Sequence, residues 1–298
     1  SKAAIHPFLQ PLPLPGGVVL ANRILPGPME GITTGSFCAV LGRLSYVHCW
    51  ITPFIRLTTG LPRRARLQLR LRAYTDTGLP VIAQIMGTDS RLLADAGARL
   101  AHLGVVGVDL NCGCPSKSVL SSDAGAARLR DPGWIRRTLT ALRHACPDTA
   151  VCVKLRSGMD SATELKSILA AVREAAPDMV TLHYRTAAEQ YRPVPNGWSR
   201  LAEARDLLPD TVLIGSGDLF GPEDALRMAR ETGVDGIAPA RGMISNPRLL
   251  RDIEAVCADE PVEADSTEHR MRVLRDIAGA GESGPGAPAG FVLELARH

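Results

Sequence analysis

Short apolar runs alternate with amphipathic stretches from residue 24 to residue 256, and no other feature limits the fold as tightly. The runs fall at 24–29, 47–54, 80–86, 106–111, 150–155, 179–184, 211–215 and 234–239. They are apolar nearly throughout instead of alternating, as expected of strands covered on both faces. Helical periodicity fills the gaps at 34–44, 63–74, 89–103, 133–145, 161–175, 198–207, 222–232 and 246–256. A strand followed by a helix, repeated over roughly 250 residues until eight such units are made, predicts an α/β chain folded as a (β/α)8 TIM barrel. A doubly wound sheet rarely needs so many units, and no Gly-x-Gly-x-x-Gly follows the first run to mark one.

The two ends of the chain differ from this pattern. Pro11, Pro13 and Pro15 lead into Gly16-Gly17 and Val18-Val19-Leu20, which predicts a short N-terminal hairpin placed to plug the barrel's lower end. Residues 1–256 are therefore expected to form one barrel domain. Beyond it, 262–277 has a helical pattern and 278–290 the Gly/Pro/Ala composition of a linker, with only 291–298 following. Residues 257–298 are thus expected to be a short helix and a flexible tail. A hydrophobic content of 45% supports a core of barrel size. No run has transmembrane length, no signal-peptide pattern opens the chain, and seven cysteines lack framework spacing. The expectation is a cytoplasmic protein with reduced thiols and no membrane contact. Nothing in the sequence calls for an obligate protein partner.

In a barrel, polar side chains at the carboxyl ends of the strands converge on one mouth. The fourth run carries one acid, Asp109, and ends in Asn111-Cys112-Gly113-Cys114-Pro115, where Gly and Pro force a loop. The other runs end similarly. Pro28-Met29-Glu30-Gly31 closes the first, Gln84 lies in the third, and Lys154 and Arg156 share one face of the fifth. His183 and Arg185 end the sixth, Ser216-Gly217-Asp218 the seventh and Ala240-Arg241-Gly242 the eighth. Each residue alone has an ordinary structural account: a snorkelling lysine, a core histidine, an amide capping a carbonyl. Together they do not, because each buried polar group left unpaired costs about 1–3 kcal/mol. A bound polar ligand would satisfy them together. The glycine-rich ends of the last two runs, each leading into a helix, suit a phosphate. Lys154 suits the electron-rich edge of a flavin and Gln84 its pyrimidine ring, so the expected ligand is FMN. No metal is expected, since Cys112 and Cys114 have no second Cys or His pair at ligand spacing and the other cysteines are scattered singly.

The stretch Asp109-Leu110-Asn111-Cys112-Gly113-Cys114-Pro115-Ser116-Lys117 resembles the signature of the tRNA-dihydrouridine synthases. Pro28-Met29-Glu30-Gly31, Lys154-Leu155-Arg156-Ser157-Gly158 and His183-Tyr184-Arg185-Thr186, with Gln190, Tyr191 and Trp198, are similar to further motifs of that family, most of all its bacterial C-type members. The resemblance spans roughly residues 24–250. It implies FMN held by Pro28, Met29, Glu30, Gln84, Lys154, His183, Ser216, Gly217, Asp218, Ala240 and Arg241. It further implies reduction of uridine to 5,6-dihydrouridine in tRNA with NADPH as electron donor. Cys114, immediately before the proline, would be the proton donor, with Asn111 and Arg156 toward the substrate. Some positions depart from the family pattern. Tyr184 replaces a glycine, and strand alternation points it toward the helical layer. Ser216 stands for Asn and Ala240 for Gly at the phosphate end, and Pro53 for Glu near the mouth. Residues 257–298 stand where the family carries a helical domain that grips tRNA, and so resemble a remnant of it.

Between residues 56 and 72 lie Arg56, Arg63, Arg64, Arg66, Arg70 and Arg72 with no acid among them. A net charge of +3 does not itself require nucleic acid, and a solvated helix face remains open beside a phosphate-contacting patch. Given an RNA substrate, this patch, with Arg56, Arg63, Arg64 and Arg66 foremost, is the expected docking surface. The target base would have to leave its stack to be reached. A thiol, with an ordinary pKa of about 8.5, is protonated at neutral pH and suits an acid. Gly113 and Pro115 break the strand register and make Cys114 the loop residue, whereas Cys112 is expected to be a buried small hydrophobe. Two other readings stand beside this one. Leu20-Ala21-Asn22-Arg23-Ile24 is reminiscent of old yellow enzymes, flavin barrels that reduce small enones. A non-catalytic RNA-binding protein on a decayed synthase barrel is the other.

Overall fold

The computed structural model describes residues 5–264 and 266–282. A hairpin of β1 (Leu12–Pro13) and β2 (Val19–Leu20) comes first, its turn made by Gly16 and Gly17 at positive φ. Leu12, Leu14 and Leu20 insert among Leu25, Cys49, Ile51, Ile82, Ala150, Cys152, Met179, Ile214 and Ala238, the inward residues near the start of the barrel strands. The hairpin therefore plugs the barrel floor, and each leucine so buried contributes about 1.5–3 kcal/mol.

The barrel is built from β3 (Trp50–Ile51), β4 (Ile55–Leu57), β5 (Val81–Gly87), β6 (Gly107–Cys112), β7 (Ala150–Arg156), β8 (Met179–His183), β9 (Val212–Ser216) and β10 (Gly236–Ile237). Pairing is parallel throughout in the order β3-β5-β6-β7-β8-β9-β10, with β4 also on β5. The first apolar run lies beyond β10: Ile24 bridges Ile237, and the N–H groups of Leu25 and Gly27 donate to the carbonyls of Ile237 and Pro239. The chain thus occupies the positions of a (β/α)8 barrel in sequence order. Several runs pair over less than their length, and in two of them proline is the reason. Pro26 and Pro28 have no N–H to donate, so the run at 24–29 makes only this limited pairing. Pro53 stops pairing in the run at 47–54 after β3, and pairing with β5 resumes only beyond the run, in β4.

Helices α1 (Gly35–Arg43), α2 (Arg64–Thr75), α3 (Ser90–Ala101), α4 (Lys117–Leu120), α5 (Pro132–Ala145), α6 (Leu165–Ala175), α7 (Ser199–Leu207), α8 (Pro222–Thr232), α9 (Gly242–Ser245) and α10 (Leu249–Cys257) follow the strands. Asp89 and Asp131 cap α3 and α5, accepting from N–H groups of their first turns. Outward strand residues such as Val108, Leu110, Val153 and Leu182 pack against helix residues such as Leu93, Ile135 and Ile168. Strand alternation then leaves Asp109, Asn111, Lys154, Thr181 and His183 pointing into the barrel.

The expected tail needs correction. α11 (Thr267–Glu282) continues past 278, where the composition suggested a linker, because Ala and Glu tolerate helix and each of the two glycines, Gly279 and Gly281, costs only about 1 kcal/mol. It is also docked: Val273 and Ile277 are buried, Asp276 pairs with Arg43 at 2.9 Å, and the Tyr46 hydroxyl meets the His269 ring at 3.0 Å. The rest of the expected linker, 283–290, and the residues after it, 291–298, lie outside the described residues.

Candidate active site

Above the apolar floor the inward residues turn polar, and strand register sets them in rows. Gln84 stands opposite Asp109, and Asp109 opposite Cys152. Asn111, Lys154 and Thr181 form the next row, then Arg156, His183 and Ser216. These rows open into a cavity of about 380 Å3 at the carboxyl ends of the strands. Cys114 lines it together with Pro28, Met29, Glu30, Gln84, Lys154, His183, Ser216, Gly217, Asp218, Ala240 and Arg241, as do Asn111 and Arg156. All the residues singled out at the strand ends for catalysis or cofactor binding therefore share one space.

The two thiols of the motif separate. Cys112 ends β6 facing the helical layer, fully buried, and burial pushes its thiol far up. Cys114 sits in the loop, half-buried on the cavity wall, with its Sγ 3.5 Å from Ser116 Oγ. The loop is braced from two sides. Asn111 Oδ1 accepts from the backbone N–H of Gly113 and of Cys114, both at 3.0 Å. Arg156 Nε donates to the Gly113 carbonyl at 2.9 Å, while its Nη1 donates to the carbonyls of Thr186 and Gln190. Arg156 is buried and holds these loops through Nε and Nη1 while still lining the cavity, where a substrate contact was expected of it.

Lys154 lies among these groups. Desolvation lowers its pKa from 10.5 to about 8, assisted by Arg156 and opposed by Asp109 and Cys114. Burial likewise raises Asp109 to about 6, against the opposing effects of its Gln84 hydrogen bond and the Lys154 charge. His183 is held well below its usual range, first by burial and then by Arg156, Lys154, Arg185 and Arg241. Its Nδ1 accepts from the Arg185 N–H at 3.2 Å, so the neutral ring carries its proton on Nε2.

At the opposite wall, Gly217 (φ 109°) and Asp218 (φ 57°) turn the chain after β9. A β-carbon at Gly217 would lie 2.8 Å from the Tyr184 ring, so only glycine fits. The Asp218 carboxylate takes a bidentate pair from Arg185 at 2.9 and 2.8 Å, the Tyr184 hydroxyl, and Arg241 Nη2 at 3.2 Å. Burial pushes its pKa up, but Arg185, Tyr184 and Arg241 outweigh that and lower it. Its side chain is therefore held by these neighbours, while Asp218 still lines the cavity. The Tyr184 ring packs against the loop glycines Gly197 and Gly217 and stacks 5.5 Å from the His183 ring. Ser216 Oγ donates to the Ala238 carbonyl at 3.3 Å.

Sequence reasoning passed over Phe220 and gave Tyr191 no role of its own. Both are exposed aromatics on the cavity rim, and the Arg241 guanidinium lies 4.4 Å from the Tyr191 ring centroid and 5.4 Å from that of Phe220. An apolar residue following Gly217-Asp218-Leu219 on a strand-end loop was the only available signal.

The arginine cluster divides. Arg63, Arg64, Arg66, Arg70 and Arg72 are exposed on or beside α2, whose buried side is Leu67, Leu71 and Tyr74; none lines the cavity. Arg56 does not belong with them. Its Nη2 donates to the Ser118 carbonyl at 2.9 Å and to Ser122 Oγ at 2.6 Å, tying β4 to α4. Arg56 thus serves as a brace between these elements, apart from the exposed face where a substrate contact was expected.

A parallel barrel whose carboxyl-end cavity holds a loop thiol, three cations and glycine-rich strand ends has the place and lining of a barrel enzyme's active site, and its charge suits an anionic ligand. The family model for dihydrouridine synthase matches residues 24–279. The tRNA-dihydrouridine(16) synthase of Haemophilus influenzae is 34% identical over 233 residues, covering 76% of this chain and 75% of that protein. The enzyme of the same name from Salmonella typhimurium is 34% identical over 238 residues, covering 78% and 76%. This chain belongs to the dihydrouridine synthase family. In fold it is similar to the old yellow enzyme from Trypanosoma cruzi, with a TM-score of 0.60 at 12% identity over 96% of this chain and 100% of that one. The old yellow enzyme homologue from Zymomonas mobilis gives 0.58 at 13% identity over 88% and 95%. At such identity the likeness is one of fold alone.

Proposed function

We propose that this chain reduces uridine to 5,6-dihydrouridine in tRNA, with FMN held in the barrel cavity, NADPH as electron donor and Cys114 as the acid. The observation that carries this reading is that Cys114, Lys154, His183, Arg241 and the Ser216–Asp218 turn line one cavity. The donor set fits FMN. Lys154, Arg156 and Arg241 outnumber the lining acids Glu30 and Asp218, and Asp218 is already compensated by Arg185. Arg241 and the backbone of 216–218 would hold the phosphate, and Lys154, Gln84 and Pro28–Glu30 the ring. Bound there, FMN supplies a hydride to uracil C6 after its own reduction by NADPH.

The chain's own groups do the rest. Cys114 Sγ holds the proton delivered to uracil C5. Asn111 Oδ1 and Arg156 keep the thiol's loop in place, and the free N–H of the Asn111 amide is left for the base. His183 offers Nε2–H to an acceptor in the cavity. The arginine face of α2, with Arg63, Arg64 and Arg66, supplies phosphate contacts that offset the few kcal/mol of unstacking the target base. The relatives' names point to position 16 as the target. The barrel of residues 1–256 is the catalytic unit and 257–298 its extension.

The test is to incubate the protein with FMN, NADPH and unmodified tRNA and to quantify dihydrouridine by mass spectrometry. Product at position 16 is expected. Flavin that is reduced by NADPH but yields no dihydrouridine would refute the RNA substrate, and turnover of cyclohexenone in its place would favour an enone reductase.

A further inference from the structure

A line of buried amides runs from the middle of the barrel to the thiol loop. Gln84 Nε2 donates to Asp109 Oδ2 at 2.7 Å, Asn111 Nδ2 donates to Gln84 Oε1 at 2.7 Å, and Asn111 Oδ1 accepts from the N–H groups of Gly113 and Cys114 at 3.0 Å. Asp109, Gln84 and Asn111 are 3%, 1% and 7% exposed, so water cannot replace a missing partner. We propose that Asp109 is a positioning residue for the Cys114 loop, acting through Gln84 and Asn111 by setting which way their amides point.

The direction follows from donor chemistry. An ionised carboxylate only accepts, so Gln84 must turn its NH2 to Asp109 and its oxygen to Asn111. Asn111 must then turn its NH2 to Gln84, which leaves its oxygen for the loop. The other Asp109 oxygen, Oδ1, is buried with no hydrogen-bond partner among the described residues, so Gln84 is the carboxylate's single hydrogen bond. The charged or titratable groups coupled to it electrostatically are Lys154 and Cys152 on β7, which share the barrel interior with it, and Cys112 on β6 itself, which faces the helices. None of these donates a hydrogen bond to it. Were the chain of amides to invert, Asn111 would present its NH2 to the N–H groups of Gly113 and Cys114, donor against donor, and the loop would lose both bonds. The functional meaning of the relay rests on reading Cys114 as the acid; its existence does not.

The experiment is amide hydrogen exchange at Gly113 and Cys114, with Val153 and Leu182 as reference amides, which needs neither flavin nor RNA. Asp109→Asn keeps the shape but lets either end of the new amide face Gln84. The two loop amides should exchange about tenfold faster than in the parent while the reference amides do not move. The double variant Asp109→Asn/Asn111→Asp puts the acceptor-only group at the loop end, reverses Gln84 and should return both amides to within about threefold of the parent. Loop exchange unchanged in Asp109→Asn, or not restored in the double variant, would overturn the relay. If Asp109→Asn does not fold, Gln84→Met cuts the line at its centre. It should free the same two amides, and full protection there would equally sink the proposal. Dihydrouridine formation, measured separately, tests the function and not the relay.

Discussion

Replacing Lys154 by Met should make the protein more stable and less useful. Burial lowers the ammonium from 10.5 to about 8, which means that folding disfavours its charged form. At about 1.4 kcal/mol per tenfold change in proton affinity, the buried charge costs at most about 3.5 kcal/mol. Lys154 keeps some solvent exposure, and losing it also removes a charge that helps keep Asp109 ionised. A net gain of about 2 kcal/mol at pH 7 is the expected outcome for the variant. The pH window follows from the sign. Below pH 8 lysine is charged in both states and the penalty is complete. Between about 8 and 10.5 the unfolded chain binds more protons than the folded one, so the parent regains stability as pH rises and the variant's advantage shrinks. Urea denaturation of both proteins at pH 7, 8, 9 and 10 reads this directly, alongside stopped-flow reduction of bound flavin, which should be lowered far more than folding. A variant no more stable than the parent at pH 7, or an advantage that is flat to pH 10, would refute the burial argument. Unchanged flavin reduction would remove the lysine from the site.

Cys114→Ala should keep flavin binding and reduction while cutting dihydrouridine formation by about 10²–10⁴-fold, whereas Cys112→Ala should lose only packing. A dead Cys112 variant beside an active Cys114 variant would reverse the assignment. The triple variant Arg63→Ala/Arg64→Ala/Arg66→Ala should bind tRNA more weakly, with a log Kd against log salt slope flatter by about one for each phosphate it no longer neutralises; an identical slope by filter binding would rule the α2 face out. Tyr184→Phe removes one hydrogen bond from Asp218 and should cost about 1–2 kcal/mol in thermal unfolding. Arg56→Ala should lower stability without touching the salt slope, since its guanidinium is turned inward to Ser118 and Ser122.

The alternation of doubly buried strands and amphipathic helices was legible because burial on both faces is written locally, residue by residue, in runs such as 80–86 and 150–155. The membership of the cavity was legible for a related reason. In a barrel every strand end points to one mouth, so Gln84, Asn111, Cys114, Lys154, His183 and Arg241 could be grouped from their places in the chain. What each polar group does there was not legible. Arg56 looked like the start of a cationic patch, yet its partner carbonyl lies 62 residues away at Ser118. Arg156 looked like a substrate contact and spends its Nε on Gly113, 43 residues back. The Asp218 carboxylate is held by Arg185, and residues 278–282 looked like a linker but continue α11, which buries Val273 and Ile277. A periodic pattern reports which face of an element is buried. The choice of partner for a charged or polar group depends on which distant loop arrives beside it, and only the folded chain brings those loops together.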